Sequence, residues 1–263
     1  ILTDQRSYRS PEATDIPALC AQAAQGDQDA ATKLLFLHHA RFLGFTFKWL
    51  FYFVLGSIAL TAVYAVVPVP TTLTMLFDHN GATRDWARLS NISPNLVRAV
   101  IAAEDGKFCS HDGFDREAIE QAIERNKSGG RMRGGSTISQ QTAKNVFLWQ
   151  GSGWTRYLRK VPEFWFTFLI ENIWGKRRIM EVYLNVAETG IGTYGAEAGA
   201  QRYYKKSAKN LTRAEAARIA AVLPLPKKRA VNGAGGFTRR YGNSIAARIR
   251  VVQRDGLDNC IYK

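Results

Sequence analysis

The stretch SPNLVRAVIAAED, residues 93–105, decides the fold class because it carries the local signals of an amphipathic helix. Ser93 is of a residue type that caps helix N-termini, and Pro94 suits the first helical position, where no backbone donor is needed. Four apolar residues follow at the spacing of one helix face: Leu96, Val97, Val100 and Ile101. We therefore predict a helix that ends near Asp105 and buries this face in a core.

Helical signals continue downstream, so the predicted fold class is mainly α. Asp115 and Thr137 are placed to cap two further helices, and Gln140 would complete a capping box with Thr137. Thr212 is placed to cap another helix. The stretch FWFTFLIENIW, residues 164–174, is apolar almost all round, which predicts a helix that is either buried or in contact with lipid.

Two stretches carry other signals. The segment TTLTMLF, residues 71–77, contains β-prone residues and predicts a short strand. The residues after Gly233 are basic and show no recognisable pattern, so we expect a featureless tail.

Length and composition limit the class of protein. A chain of 263 residues suffices for one sizeable core with appendages or for two small domains. Its hydrophobic content of 46% argues against disorder. The net charge of +14, from 36 basic and 22 acidic residues, favours a polyanionic partner such as nucleic acid, anionic lipid or a phosphorylated substrate.

The three cysteines, Cys20, Cys109 and Cys260, are too few for a disulfide framework or a metal cluster. We expect each to be a free thiol. A bridge between Cys109 and Cys260 is the alternative if both lie outside the cytoplasm. No second His or Cys stands at metal-ligand spacing from His111, so a zinc site is not expected.

Residues 49–67, WLFYFVLGSIALTAVYAVV, form a run without a charge that would span about 28 Å as a helix, close to the thickness of a bilayer core. The run is long and begins deep in the chain, which disfavours a cleaved signal peptide, and a buried core helix is the other alternative. Lys33, Arg41 and Lys48 precede the run, whereas residues 68–80 contain no Lys or Arg.

The positive-inside rule then gives three segments. We predict a cytoplasmic tail at residues 1–45, a transmembrane helix at 46–67 and an extracytoplasmic domain at 68–263. This topology removes nucleic acid as a partner of the basic surface and leaves anionic membrane lipids and a lipid-linked phosphate.

Candidate chemistry lies in three segments: AEDGKFCSHDGFD (103–115), RMRGGSTISQQTAKN (131–145) and RKVPE (159–163). Acidic residues are unfavourable at a helix C-terminus, so Glu104 at that position indicates a function. The stretch from Gly134 to Thr137 is a helix start that can bind an anion, although it lacks the lysine of a P-loop. A plain helix cap, and an ordinary ion pair of Glu163 with neighbouring basic residues, are the simpler interpretations.

These segments carry a resemblance to a known family. EDGKFCSHDG (104–113) resembles the EDxxFxxHxG signature of peptidoglycan glycosyltransferases, and GGSTISQQTAKN (134–145) resembles their second motif. RKVPE is similar to their RKxxE motif, and KRRIMEVYLN (176–185) to their KxxILExYLN motif, in the same order. The resemblance extends over about residues 68–235 and is closest to the monofunctional biosynthetic transglycosylases, because no transpeptidase domain follows.

The resemblance implies a lysozyme-like helical glycosyltransferase domain with a small membrane-proximal lobe, preceded by one transmembrane helix. It implies inverting polymerisation of lipid II, with Glu104 as the base for the acceptor hydroxyl and Glu163 assisting at the donor side. Four basic residues are expected at the pyrophosphate: Lys144, Arg156, Arg159 and Lys160. Seven further residues are expected to bind substrate: Asp105, His111, Ser136, Thr137, Gln140, Gln141 and Asn145.

The implied partners are lipid II, the growing glycan strand, anionic membrane lipids and proteins of cell division or cell-wall synthesis. No cofactor is required, and a divalent cation, Mg or Mn, at the pyrophosphate is allowed for. Pro162 departs from the pattern, because proline disfavours the helix expected there and leaves the placement of Glu163 open. A lytic transglycosylase that cleaves glycan and a non-enzymatic scaffold for anionic polymers are the rival functions.

Overall fold

A computed structural model describes residues 16–127, 135–151, 153–232 and 236–262. Contacts divide the chain into two units, residues 1–57 and 58–263. In the first unit, helix α1 (Ile16–Ala24) ends before Gly26, whose positive φ of 93° favours glycine, and helix α2 (Gln28–Val66) begins.

Helix α2 is the one helix in the described residues that is long and apolar enough to cross a membrane. It has 39 residues and therefore begins well before the predicted transmembrane span at 46–67. Nothing in residues 28–48 breaks a helix, since the segment has no proline and a single glycine, Gly44. Large apolar side chains along it are exposed, as in Phe45, Trp49 and Phe53.

The second unit is mainly helical, as predicted. The remaining helices are α3 (Leu73–Leu76), α4 (Pro94–Glu104), α5 (Arg116–Lys127), α6 (Ile138–Phe147), α7 (Thr155–Leu158), α8 (Lys160–Ile173), α9 (Lys176–Val186), α10 (Ala196–Tyr204), α11 (Arg213–Val222), α12 (Gly236–Arg254) and α13 (Asn259–Tyr262). Three short strands, β1 (Thr83–Arg84), β2 (Glu188–Gly190) and β3 (Thr193–Tyr194), form a sheet in the order β1-β3-β2. Strand β1 is parallel to β3, and β2 is antiparallel to it.

The predicted helix caps are confirmed. The Ser93 side chain accepts from the backbone N–H of Asn95, and Asp115 accepts from that of Ala118. Thr137 and Gln140 form a complete capping box at the start of α6, and Thr212 forms another at the start of α11. Each cap satisfies backbone donors that the first helical turn would leave without a partner.

The core lies where two groups of helices pack. Helix α11 contacts α4 and α12, and α6 contacts α8 and α9. The predicted apolar face of α4 is fully buried, and each such side chain contributes about 1.5–3 kcal/mol relative to exposure. Small residues on α11, such as Ala216, Ala217 and Ala220, are also fully buried and allow its neighbours to approach closely.

The strand predicted at residues 71–77 is wrong, because this segment contains the short helix α3. The Thr72 hydroxyl accepts from the N–H of Met75 and caps this turn. Local side-chain capping therefore outweighs the β propensity of the threonines.

The prediction of a featureless C-terminal tail is also wrong. Residues 233–235 lie outside the described residues, and α12 follows them as a helix of 19 residues. Gly242, Ile245, Ile249 and Val252 recur at three- and four-residue spacing and are buried against the rest of the unit. The many basic residues occupy the other positions of this helix and conceal its pattern.

The expectation of three free thiols is wrong for two of them. Cys109 and Cys260 form a disulfide with a Cα–Cα distance of 5.4 Å, whereas Cys20 is exposed and unpaired within the described residues. The two partners lie 151 residues apart, so their proximity comes from tertiary packing. The packing of α13 on α9, with an ion pair of 2.7 Å between Arg98 and Asp258, brings the C-terminal segment to the loop after α4.

Pro162 does not disrupt helix α8. It lies in the first turn, where a helix leaves its backbone donors without intrahelical partners, and the Glu163 N–H bonds the Arg159 carbonyl at 2.9 Å. The proline instead accounts for the separation of α7 from α8, since it cannot donate to the carbonyl of Leu158. Helix α8 is buried on one side and exposed on the other: Phe166 and Ile170 are buried, whereas Phe164 and Phe168 are exposed.

Candidate active site

A cavity of about 670 Å³ brings together Glu104 and Glu163. Glu104 is the last residue of α4, and Glu163 belongs to the first turn of α8. The other polar and charged residues along its wall are Asp105, Gln121, Ser136, Gln140, Gln141, Lys144, Arg159, Lys160, Tyr241 and Arg248. The cavity therefore combines two carboxylates with several cations.

The two oxygens of Glu104 have different environments. Oε2 accepts a hydrogen bond of 3.0 Å from Gln141 Nε2. Oε1 is buried and has no hydrogen-bond partner among the described residues. Burial raises the pKa of Glu104, and the Gln141 hydrogen bond, together with the charges of Arg229 and Lys144, opposes this rise. A buried acceptor with a raised pKa is suited to take a proton from a bound hydroxyl group.

Glu163 is instead fully paired. Its carboxylate accepts from Lys160 Nζ at 2.6 Å and from Arg159 Nε at 3.2 Å, and its side chain is 3% exposed. Arg159 also donates to the carbonyl oxygens of Trp149 at 2.9 Å and of Gln150. Both oxygens of Glu163 are thus occupied, and the residue fixes two cations at the wall of the cavity.

Lys144 extends from α6 and lines the cavity beside these cations. Burial, followed by the nearby charge of Arg159, lowers its pKa, while Glu163 and Glu104 oppose this effect. Within the described residues, no hydrogen bond or ion pair occupies its Nζ. An anion that entered the cavity would therefore find a cation without a competing partner.

Asp105 and His111 hold the loop between α4 and α5. Asp105 Oδ2 accepts from the backbone N–H of Ile138 at 2.9 Å, and both Asp105 oxygens lie 3.0 Å from His111 Nε2. The N–H of Gly113 donates to His111 Nδ1 at 3.1 Å, so Nε2 carries the proton and donates to Asp105. The side-chain polar atoms of Asp105 and His111 are thus already hydrogen-bonded within the protein.

Gly113 is required by this packing. Its φ is 87°, and an added Cβ would lie 2.8 Å from Thr167 Cγ2 and 2.9 Å from Glu171 Cγ. The Thr137 hydroxyl donates to the Gly113 carbonyl at 2.6 Å. These contacts hold the loop between the start of α6 and the side of α8.

At the start of α6, fewer backbone donors are available to bind an anion than the sequence suggests. Gly134 lies outside the described residues, and Gln140 Oε1 accepts the N–H of Thr137 at 3.0 Å. Thr137 and Gln140 therefore serve the capping box, while Ser136 and Gln140 line the cavity.

A second cavity of about 390 Å³ adjoins the first and shares four lining residues with it: Gln141, Lys144, Leu223 and Pro224. Asn145 lines this second cavity, and its buried Oδ1 has no hydrogen-bond partner within the described chain. Arg156 lines neither cavity. It is exposed on α7, with its guanidinium 5.3 Å from the ring centroid of Tyr157.

Several residues of this cleft were not predicted from the sequence. Tyr241 and Arg248 reach the first cavity from α12, and the buried pattern of that helix was the signal that could have found them. The segment after α11, including Lys227 and Lys228, lines the second cavity. In sequence, these basic residues look like those of any solvent-exposed loop, so no local signal indicates that they line a cavity.

The described residues contain no group of three or more His, Cys, Asp or Glu residues that could hold a metal ion. Of the three carboxylates that line the first cavity, Asp105 and Glu163 already have protein partners on both oxygens. Only Glu104 Oε1 remains without one, and a single oxygen does not form a cation cage.

The helical fold thus brings two dissimilar carboxylates and several cations together in one cleft, which is the arrangement expected of an enzyme that transfers a sugar from an anionic leaving group. The family model described as "Transglycosylase" matches residues 71–250. The chain belongs to this transglycosylase family, which confirms the resemblance and the predicted mainly helical, lysozyme-like fold.

Curated relatives agree with this assignment. A protein named biosynthetic peptidoglycan transglycosylase from Caulobacter vibrioides is 50% identical over 211 residues, which cover 79% of this chain and 91% of the relative. A protein of the same name from Rhodospirillum centenum is 47% identical, over 78% of this chain and 89% of the relative. Another from Pseudomonas aeruginosa is 45% identical, over 74% and 86%.

Proposed function

We propose that this protein polymerises lipid II into β1,4-linked glycan strands and releases undecaprenyl pyrophosphate. Membership of the transglycosylase family and the names of its relatives support peptidoglycan synthesis. The observation that carries the chemistry is the buried Glu104 Oε1, which has no partner in the described residues and belongs to a residue that lines a cavity rich in cations.

The reaction starts with the acceptor sugar. Glu104 Oε1 takes the proton of the acceptor 4-hydroxyl while the hydroxyl oxygen attacks the anomeric carbon of the donor. The new C–O bond forms as the bond from that carbon to the pyrophosphate oxygen breaks, and the pyrophosphate leaves with the electron pair. Attack from the face opposite the leaving group inverts the α linkage to β.

The cations stabilise the departing charge. Lys144, Arg159 and Lys160 line the same cavity as Glu104 and would form charge-assisted hydrogen bonds to the pyrophosphate. These bonds strengthen as negative charge develops, which lowers the barrier. Glu163 assists indirectly, because it holds Arg159 and Lys160 in place. Arg156, which lies outside both cavities, would contribute only to attraction at longer range.

Two adjoining cavities suit a reaction with two large substrates. Ser136 and Gln140 would bind substrate in the first cavity, and Asn145 would bind it in the second. Gln141 and Lys144 lie at their common wall, where the reacting centres would meet. We assign Asp105, His111 and Thr137 to holding the loop and the start of α6, because their polar atoms are bonded within the protein.

The carboxylates of the cavity do not fit a resident metal, so no catalytic step is assigned to one. A magnesium or manganese ion would be a counterion of the substrate pyrophosphate. No other cofactor enters the proposed reaction.

We place the domain on the outer face of a bacterial inner membrane, with residues 1–45 in the cytoplasm and α2 as a single anchor through 46–67. The charge asymmetry around this span supports the orientation. The disulfide between Cys109 and Cys260 also supports it, because disulfides persist in oxidising compartments. Anionic lipids and proteins of cell division or wall synthesis are the partners we propose for this location.

Polymerisation of lipid II by the purified full chain tests the function. We expect the wild-type protein to lengthen glycan and the Glu104→Gln variant to lose most of this activity. Shortening of isolated cell wall would favour the lytic rival, and binding of anionic polymer without turnover would favour the scaffold. Near-normal turnover by the variant would eliminate Glu104 as the base.

A further inference from the structure

Tyr183 is a buried tyrosine that the proposed reaction does not use. It extends from α9, is 1% exposed and donates its hydroxyl hydrogen to Gln141 Oε1 at 3.2 Å. The other end of the same amide, Gln141 Nε2, donates to Glu104 Oε2 at 3.0 Å. The three side chains thus form a continuous relay from the core to the proposed base.

We propose that Tyr183 is a positioning residue for Glu104 and acts through the amide of Gln141. This inference rests on the proposed function of Glu104. The direction of the relay follows from the chemistry of its groups. An ionised carboxylate can only accept, so the amide must present Nε2 to Glu104 and Oε1 to Tyr183. The hydroxyl, as a donor, is the group that matches this orientation.

The relay determines which carboxylate oxygen remains available. With Oε2 bonded to Gln141, Glu104 presents Oε1 without a partner. Without the Tyr183 hydroxyl, Gln141 Oε1 would be left unsatisfied in a buried site, and the amide could rotate away from Glu104. Burial raises the pKa of Tyr183, so its hydroxyl retains the proton across the pH range of enzyme assays.

Loss of the relay should also change the titration of Glu104. The Gln141 hydrogen bond lowers the pKa of this carboxyl against the effect of burial. The charged groups around it come from several elements and would stay unchanged: Asp105, Lys144, Arg159, Lys160, Glu163, Arg229 and Arg248. A shift of the acidic limb of the pH profile to higher pH would therefore report the relay itself.

A contact of Tyr183 with substrate is the competing explanation, because the residue lines the second cavity. A substrate contact would change mainly KM, whereas misplacement of the base would change mainly kcat. The two roles are therefore separable in steady-state kinetics.

The test compares Tyr183→Phe with Tyr262→Phe in the full chain, with lipid II as substrate. Tyr262 is a matched control, because its hydroxyl is also buried but has no hydrogen-bond partner in the part of the chain that the structure describes. We expect Tyr183→Phe to lower kcat about tenfold, which corresponds to the loss of one buried hydrogen bond, with little change in KM. Its acidic limb should move to higher pH, and Tyr262→Phe should match the wild type.

A second pair of variants, Gln141→Met with and without Tyr183→Phe, separates a loss of the relay from an indirect effect on folding. In a Gln141→Met background, Tyr183→Phe should cause no further loss of kcat, because the relay is already interrupted. Additive losses, a change in KM alone, or an acidic limb that stays in place would overturn the proposal. A wild-type protein that does not polymerise lipid II would instead overturn the proposed function.

Discussion

Glu104 and Lys144 line the same cavity, and burial shifts their pKa values in opposite directions. Burial raises the pKa of the glutamate and lowers that of the lysine, because it disfavours the charged form of each. The proposed reaction requires both charged forms. Because burial affects both residues, the pH range in which Glu104 is ionised while Lys144 is protonated becomes narrower.

We predict a bell-shaped dependence of kcat/KM on pH for lipid II polymerisation. The acidic limb should lie above the usual pKa of glutamate, and the alkaline limb should lie below that of lysine. Lys144→Arg should remove the alkaline limb, because arginine remains protonated throughout this range. Lys209→Arg, an exposed substitution outside both cavities, should leave the profile unchanged. An alkaline limb that persists in Lys144→Arg would exclude Lys144 as its source.

We predict that Glu104→Gln melts at a higher temperature than the wild type at neutral pH. The folded-state pKa of Glu104 is raised, so its contribution to stability is full below the unfolded pKa and is lost as pH rises through the folded value. A neutral glutamine avoids this loss. Thermal melts across pH should show a gain at pH 7 that disappears near pH 4. The exposed control Glu120→Gln should show no such gain, and an equal response of the two variants would contradict the prediction.

We predict that Glu163→Gln costs stability as well as activity. The substitution leaves Arg159, which is 6% exposed, without a carboxylate, and breaking a buried pair in this way costs about 3–5 kcal/mol. Lys160→Met should cost less than about 1 kcal/mol, since the lysine side chain is 51% exposed. Denaturant unfolding measures both values. The kcat of Glu163→Gln should fall less than that of Glu104→Gln, and a larger fall would assign Glu163 a direct role.

We predict that the double variant Cys109→Ser/Cys260→Ser loses about 2–4 kcal/mol of unfolding free energy, because the disulfide closes a long loop. Its activity should also fall, since Cys109 lies in the loop that follows Glu104. The variant Cys20→Ser is the matched control and should retain both properties. If reductant affects the wild type and the double variant equally, the bridge has no role in stability.

The sequence was sufficient to predict the features whose signals lie within a few neighbouring residues. Ser93, Thr137 and Thr212 cap helices as predicted, because a cap depends on residues within one turn. The order of the four motifs was sufficient to predict the family. The sequence offered the pairing of Cys109 with Cys260 only as the alternative to free thiols, and it did not predict the contribution of α12 to the cleft, because both depend on contacts between distant segments.

The two carboxylates illustrate the same limit within the site. Their residue type indicated acid–base chemistry, and the family resemblance implied different roles for them, but neither gave the physical cause of the difference. The difference arises from neighbours: Glu163 pairs with Arg159 one turn earlier, whereas Glu104 meets Gln141 from another helix. The relay to Tyr183 could not be deduced from spacing either, because it joins α4, α6 and α9.

The covalent tie on the active-site loop also sets an order of events during biogenesis. Cys260 lies beyond the region matched by the family model, so the tie can close only after the ribosome has completed that entire region. In the proposed topology, the disulfide forms outside the cytoplasm, so its formation must also wait for translocation. In that topology, copies retained inside the cell would lack the disulfide, and the loop after Glu104 would be held covalently only outside the cytoplasm.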